Sequence, residues 1–349
     1  MMDEGIQKYI VRSDISLAQA MQIIDVNAGG VLFLVDEEGR LQYSLTDGDM
    51  RRFLLAGGQM TAPSSKAANP CPLYARSVEK AAQRRDGKHY TAIPIVDEQG
   101  VVIDIYLGEN RDEAIHAALD VPVVINAGGR GTRLEPFTKV LPKPLIPVGD
   151  LPIIEIIMQQ YQSYSCNDFH VIVNYKRDLI KAYFADNDRH YDIAWYDEYI
   201  PLGTGGGLSL LRGKIDTTFF FSNCDNLLLA NYERILEFHR KNSNVITMVC
   251  ACKNFSIPYG VVEMGINGKI DRIKEKPMLS FLINTGIYVV EPDVLQDIAD
   301  GVAIGFPDIV EQQRQKGNKV AVFPVSESEW LDMGQLSELE KMRTRLYGE

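Results

Sequence analysis

Positive charge, histidine and long apolar runs are all scarce in this chain. Its 36 lysines and arginines are outnumbered by 47 aspartates and glutamates, for a formal net charge of −11. That balance excludes a nucleic-acid backbone or an anionic membrane surface as the main partner, but leaves room for a local basic pocket that holds phosphates. No apolar run reaches the ~20 residues that a membrane-spanning helix needs. The start, MMDEGIQKYIVRSD, lacks the basic-then-apolar layout of a secretory leader. A cytoplasmic protein with small-molecule partners is expected. The five histidines, His89, His116, His170, His190 and His239, are scattered and form no Ser-His-Asp set at recognisable spacing, so they are expected in the core or on the surface. The five cysteines, Cys71, Cys166, Cys224, Cys250 and Cys252, contain no CxxC pair, and Cys250 and Cys252 alternate along the apolar run TMVCACK. Buried thiols are expected, not a metal centre or disulfides.

With 349 residues and 46% hydrophobic content, the chain can bury a sizeable core and is expected to form two domains. Its densest chemistry lies in VVINAGGRGTRLEPFTKVLPKPLIPVG, from Val123 to Gly149. A β-branched strand leads into a glycine loop, an arginine and a lysine held between prolines. Gly128, Gly129 and Gly131 let backbone N–H groups approach an anion without a Cβ in the way. Thr132 and Arg133 follow, Arg133 with a fork of donors, and Lys143 adds a point charge whose starting place Pro142 and Pro144 restrict. The run is suited to phosphate. It is not a P-loop, which needs Gly-Lys-Ser/Thr after four intervening residues, because Thr132 and Arg133 follow Gly131. Nor is it the dinucleotide fingerprint, which needs glycine where Leu134 stands.

From Val121 onward strand and helix patterns alternate, as in an α/β domain with a largely parallel sheet. Strands are expected around FHVIVNY and FFFSNCDNLL, and helices around LPIIEIIMQQYQ, KRDLIKAYF and YERILEFH. Ligands in such sheets bind beyond the carboxyl ends of the strands. Asp225, in NCDN, stands at the end of one apolar run, and Asp332, in WLDMG, lies near the end of the chain. Mg²⁺ that serves phosphates commonly takes one or two carboxylates and leaves its other positions to substrate oxygens and water.

GGRGTRLEPFTKVLPKPLIPV resembles, nearly residue for residue, the signature of sugar-1-phosphate nucleotidyltransferases, GGxGTRLxPxTxxxPKPLxPV. The resemblance implies a Rossmann-like transferase domain over residues 120–349 with a mixed, largely parallel sheet. Within it, Arg133, Lys143 and Asp225 would be catalytic, and Asp225 and Asp332 would hold Mg²⁺. Gly128, Gly129, Gly131 and Thr132 would bind nucleotide together with Gly203 and Thr204 of PLGTGGGLSLL. Gly260 of PYGVVE, and Glu275 and Lys276 of IKEKP, all three expected on strands, would bind the sugar phosphate together with Asn284 of INTGIYV. One departure is Cys224, where many relatives have glycine.

The first 119 residues contain a repeat. VLFLVDEEGRLQYSLTDGDMRRFLL, from Val31, aligns without a gap to AIPIVDEQGVVIDIYLGENRDEAI, from Ala92. Each copy reads as strand, turn, strand and helix, and a helical segment precedes each; Leu17, Ala20, Met21 and Ile24 share one face of the first. The layout and the phrase SLTDGDMRR resemble tandem CBS (α+β) modules, with repeats at about 1–60 and 61–119. That resemblance implies a regulatory adenine-nucleotide site at Thr46 and Asp49. The second repeat has Leu107 and Asn110 at those places, so one site at most is expected. Thr46 is equally suited to cap the helix that follows.

The combined resemblance spans nearly the whole chain and is most similar to a bacterial, GDP-sugar-forming subgroup. It implies transfer of a nucleoside monophosphate from GTP to a sugar 1-phosphate, for surface glycan synthesis, in a homo-oligomer. No hexapeptide repeat is seen after the transferase segment, so a fused acyltransferase is not expected. The alternative is a regulatory nucleotide sensor with a transferase-like domain that does not turn over.

Overall fold

Phe219, Phe220 and Phe221 point alternately to the two faces of their strand, and all three are fully buried. A sheet covered on both sides explains this, and it is the reason the central strands read as continuous apolar runs. The computed structural model describes residues 4–27, 30–83, 92–107, 117–185 and 191–348. The chain forms two compact units. One comprises Met1–Glu113, Cys252–Ile283 and Pro324–Ser328; the other comprises Ala114–Ala251, Asn284–Phe323 and Glu329–Glu349.

A seven-stranded sheet has the order Asp192–Asp197, Asp168–Val173, Val123–Ala127, Phe219–Asn223, Met278–Val290, Ile246–Ser256, Val320–Ser326, and the second unit takes the first four strands whole and the last three in part. The first four strands are mutually parallel, and Phe219–Asn223 pairs antiparallel with Met278–Val290. The sheet is therefore mixed and largely parallel, as expected. Helix Ile153–Gln162 buries Ile153, Ile154, Ile157, Met158 and Tyr161. Helices Arg177–Ala185 and Tyr232–Lys241 also stand where their patterns place them.

In the first unit the repeat is visible in atomic detail. Val31–Val35 pairs antiparallel with Leu41–Thr46, and Ala92–Val96 with Val102–Leu107. Each pair has a register shift at its turn end, and each turn is closed by an aspartate: Asp36 Oδ1 accepts from the N–H groups of Glu38 and Arg40, Asp97 Oδ1 from those of Gln99 and Val101. The two turns also bond to each other reciprocally, Leu41 N to Gly100 O and Val102 N to Gly39 O, both at 3.0 Å. Leu17, Ala20, Met21 and Ile24 are buried together with Leu32, Leu34 and Leu45.

Several local expectations need correcting. FFFSNCDNLL is not one strand: it breaks at Cys224 and Asp225, and Asn226–Leu228 joins a separate two-stranded ladder with Trp330–Asp332. PLGTGGGLSLL forms a 3₁₀ helix over Gly206–Leu211, which suits a glycine-rich segment with little intrinsic α preference. Gly260 precedes the strand Val261–Met264 and does not lie in it. Glu275 and Lys276 lie beyond the strand end at Lys274, and Lys276 has φ +43°, just before Pro277. Cys71 is exposed, whereas the other four cysteines are buried; all five are free thiols. The helix of the second repeat, with Asn110, lies outside the described residues, as do His89, His116 and His190.

Candidate active site

The carboxyl ends of Val123–Ala127 and Phe219–Asn223 are parallel neighbours, with Asn126 opposite Asn223. Whatever follows one strand end is therefore beside whatever follows the other. The glycine loop follows the first and Asp225 the second. Between them opens a cleft of about 260 Å³ lined by Gly129, Gly131, Thr132, Arg133, Lys143, Thr204 and Asp225, together with Asn126, Leu134, Asn223, Cys224 and Gly334.

Gly131 lies in the left-handed region at φ +66°, and a Cβ there would stand 2.9 Å from that of Lys143. Glycine is what allows the lysine to pass. Lys143 opens a 3₁₀ turn with Pro144 buried behind it, and its Nζ forms an ion pair with Asp225. Both side chains are nearly buried, at 12% and 11% exposure, so the pair is poorly screened by solvent. The loop is tied down by Thr138, whose hydroxyl donates to Gly131 O at 3.1 Å, and by Asn126, whose side chain accepts from Gly128 N and donates to Thr204 O.

The ladder of Asn226–Leu228 with Trp330–Asp332 sets Asn226 opposite Asp332, and Met333 N donates to Asp225 O at 2.9 Å. Two carboxylates remote in sequence thus become neighbours. Burial, and then the charge of Asp225, push the Asp332 carboxyl above its ordinary range, against the N–H of Gly334 and the charges of Lys143 and Arg133. A cation between the two carboxylates would relieve this repulsion. Their chemistry, two hard oxygen donors at a phosphate-sized cleft, fits Mg²⁺. Among the described residues no group of three or more potential metal-binding side chains occurs, so such an ion would draw its remaining ligands from substrate and water.

Glu198, to which the sequence gives no pointer, stands behind the glycine loop without lining the cleft. It is 5% exposed, it packs against Gly128 and Gly207, and its Oε1 meets no donor. Burial pushes its carboxyl up to about 7, opposed by the N–H of Leu202. Any side chain at Gly207 would occupy the place of Oε1. The glycines after Thr204 therefore make room for a carboxylate. Asn126 and Asn223 were also missed, although both stand in motifs singled out above.

The other expected residues are distributed differently. Gly203 adjoins Thr204 without lining the cleft, and the Thr204 hydroxyl accepts from Phe306 N. Asn284 lies in the same unit, where its side chain donates to the Tyr288 hydroxyl and accepts from Gly286 N. Gly260, Glu275 and Lys276 belong to the first unit, where a Cβ on Gly260 would lie 2.9 Å from the Glu275 carboxylate. Thr46 and Asp49, also in the first unit, form a capping box. Thr46 N and Oγ1 donate to Asp49 Oδ2 at 2.9 and 2.6 Å, Asp49 N donates to Thr46 Oγ1, and Arg52 pairs with Asp49 Oδ1. His170 bonds to Tyr196, and His239 is buried between Thr247 and Glu291, so both described histidines are structural.

Residues 122–347 match the family model described as Nucleotidyl transferase. The mannose-1-phosphate guanyltransferase of Aspergillus fumigatus is 36% identical over 184 residues, 50% of either chain. The UTP–glucose-1-phosphate uridylyltransferase of Synechocystis is 29% identical over 240 residues, 62% of this chain and 60% of that one. The chain thus spans between half and three-fifths of the length of these relatives. In fold it is similar to HddC from Yersinia pseudotuberculosis, with a TM-score of 0.51 and 21% identity over 64% of this chain and 99% of that one. The family match covers the glycine loop, the lysine and both acids, and on it the chain belongs to the nucleotidyl transferase family.

Proposed function

We propose that this chain transfers a nucleoside monophosphate from a nucleoside triphosphate, with GTP favoured, to a sugar 1-phosphate, giving a nucleotide sugar and pyrophosphate. The observation that carries this reading is the convergence of Arg133 and the Lys143–Asp225 pair on the glycine-loop cleft, with Asp332 within charge range of all three. An oxygen of the sugar phosphate attacks the α-phosphorus in line, and pyrophosphate leaves. The attacking group is already anionic, so no protein nucleophile is needed, and catalysis reduces to positioning and neutralising two polyanions. The loop N–H groups and Arg133 hold the departing phosphates. Lys143, released from Asp225, stabilises charge on the α-phosphate. Asp225 and Asp332 would hold Mg²⁺, which when bound supplies Lewis-acid neutralisation of phosphate oxygens.

GTP is favoured because Glu198 sets a carboxyl behind the glycine loop, Oε2 against Gly128, with Oε1 unpaired and turned toward Gly207. Guanine offers two adjacent donors, N1–H and the N2 amine, which suit an ionised carboxylate. The guanyltransferase activity of the fungal relatives supports the same base. Gly260, Glu275, Lys276 and Asn284 are assigned to the sugar phosphate; the strained backbone of Lys276 supports a positioned role, since such strain concentrates at ligand sites. The reciprocal pairing of the two turns supports reading residues 1–119 as a tandem CBS pair. A screen of the four NTPs against a panel of sugar 1-phosphates, read by pyrophosphate release, tests the proposal. GTP with a hexose 1-phosphate is expected to give the highest rate. Tight GTP binding with no release from any combination would leave the sensor reading instead.

A further inference from the structure

The cleft has little positive charge to offer a polyanion. Arg133 and Lys143 line it together with Asp225, and Asp332 lies within charge range of all three, so two cations meet two carboxylates. One of the cations, Lys143, is already spent on Asp225. A nucleoside triphosphate brings several negative charges, most of them on the two phosphates that leave. A single bound divalent ion offsets only part of these, so a further cation within reach of the glycine loop would be expected to contribute to binding.

Arg130 stands at the required place. It lies in the loop between Gly129 and Gly131, both of which line the cleft, and it is exposed. Among the described residues it has no carboxylate partner. Its guanidinium rests over the ring of Tyr175, 5.8 Å from the centroid. Tyr175 is itself tied to the loop: its N–H donates to Gly128 O at 3.4 Å, and its hydroxyl donates to the carbonyl of Thr138, the residue whose side chain holds Gly131. The ring is thus a platform fixed to both ends of the loop that Arg130 crowns. An exposed cation–π contact is a weak hold, readily exchanged for a charge-assisted, bidentate bond to phosphate.

We infer that Arg130 is the receptor for the distal phosphates of the triphosphate, parked on Tyr175 and transferred to the leaving pyrophosphate when nucleotide binds. The inference rests on the nucleotidyltransferase reading of the cleft. It makes Arg130 a residue that distinguishes a triphosphate from a monophosphate, in contrast to Lys143, which acts where the α-phosphate reacts.

The test is titration calorimetry of the full chain with Mg²⁺ and GTP, pyrophosphate or GMP. Arg130→Gln is expected to weaken GTP and pyrophosphate about tenfold each, the scale of one charge-assisted contact, and to leave GMP affinity unchanged. Arg130→Lys should recover part of the loss, because it restores charge without the fork. Tyr175→Leu should cause a smaller loss in the same direction. An equal loss for GMP and GTP, or no loss for either, overturns the inference; so does a wild-type chain that binds none of the three. A wild-type chain that binds GTP but turns over no sugar phosphate defeats the transferase reading while the comparison of GTP with GMP still decides the role of Arg130.

Discussion

The Lys143–Asp225 pair and the Thr46–Asp49–Arg52 cluster make an instructive contrast. Each joins a basic side chain to an aspartate, and each was singled out from sequence as a place for a phosphate-bearing ligand. In the first unit the cluster closes on itself: Asp49 accepts from two groups of Thr46 and from Arg52, and Thr46 accepts from Asp49 N. These contacts start one helix. In the second unit the ion pair is nearly buried beside a cleft, with Asp332 raised and Glu198 unengaged nearby. That region keeps capacity in reserve. Residue inventory alone does not separate the two; what separates them is whether the hydrogen bonds are consumed locally.

The sharpest break of this contrast comes from the acids. Asp225→Ala or Asp332→Ala should abolish Mg²⁺-dependent pyrophosphate release while the fold, followed by circular dichroism, persists. Each change leaves two polyanions facing an unneutralised site. Near-normal turnover in either variant would end the metal assignment. Next in size is Lys143→Ala, expected to lower kcat about a hundredfold, the scale of one electrostatic donor in a transition state, with a smaller change in KM. An effect confined to KM would reduce Lys143 to a ground-state anchor.

Glu198 gives an intermediate effect with a pH signature. If its ionised form accepts from guanine, GTP affinity should rise with pH through about 7, the value to which burial holds the carboxyl. Glu198→Gln should flatten that profile and lower the preference for GTP over ATP by about tenfold, the scale of one lost charged hydrogen bond. The stability linkage runs the other way. The unfolded chain ionises this group near its ordinary 4.5, whereas the folded chain keeps it neutral to about 7, so its burial destabilises the fold progressively as pH rises across that window. Glu198→Gln should therefore gain stability, relative to the parent, above pH 7. A GTP affinity that is flat with pH would sink the base assignment.

The smallest effect lies in the first unit. Asp49→Ala should cost about 1 kcal/mol through loss of the capping box and leave turnover unchanged. Denaturant unfolding of the parent and the variant measures the first, and pyrophosphate release the second. Calorimetry with AMP and ATP adds the decisive arm: binding that disappears in this variant would show that the cluster has capacity beyond its cap.

Legibility from sequence follows the same physical division. The glycine loop and Lys143 were readable because their geometry is local, set by glycines and prolines within one short run. The parallel strands were readable because a sheet covered on both faces writes itself as apolar runs. Asp332 carried a local signal, a lone acid between an aromatic and a glycine, but not its partner. Its meeting with Asp225 depends on a ladder between Asn226–Leu228 and Trp330–Asp332, and only the family resemblance paired the two. Glu198 was illegible for a different reason: its significance is a missing donor inside a packed interior, which only tertiary structure reveals. The breaks at Cys224 and after Lys274 had weak local signals, Asp225 and Asn226 in one case and Pro277 in the other, which the apolar runs beside them outweigh.

The unit that holds the repeats is not a detachable leader. Cys252 packs with Leu17, Ala20 and Met21, Arg51 Nε donates to Pro324 O, and Ser326 donates to Asp25. During synthesis, therefore, the first residues to emerge must wait for almost the last before their packing is complete, contrary to the usual order in which N-terminal domains finish first. A truncation that removes residues 1–119 would strip cover from Cys252 and remove one hydrogen-bond partner each from Asn254, Pro324 and Ser326. A shortened chain of that kind would report a folding defect before it reported on regulation. Point substitutions at the paired turns are the cleaner way to question the repeats.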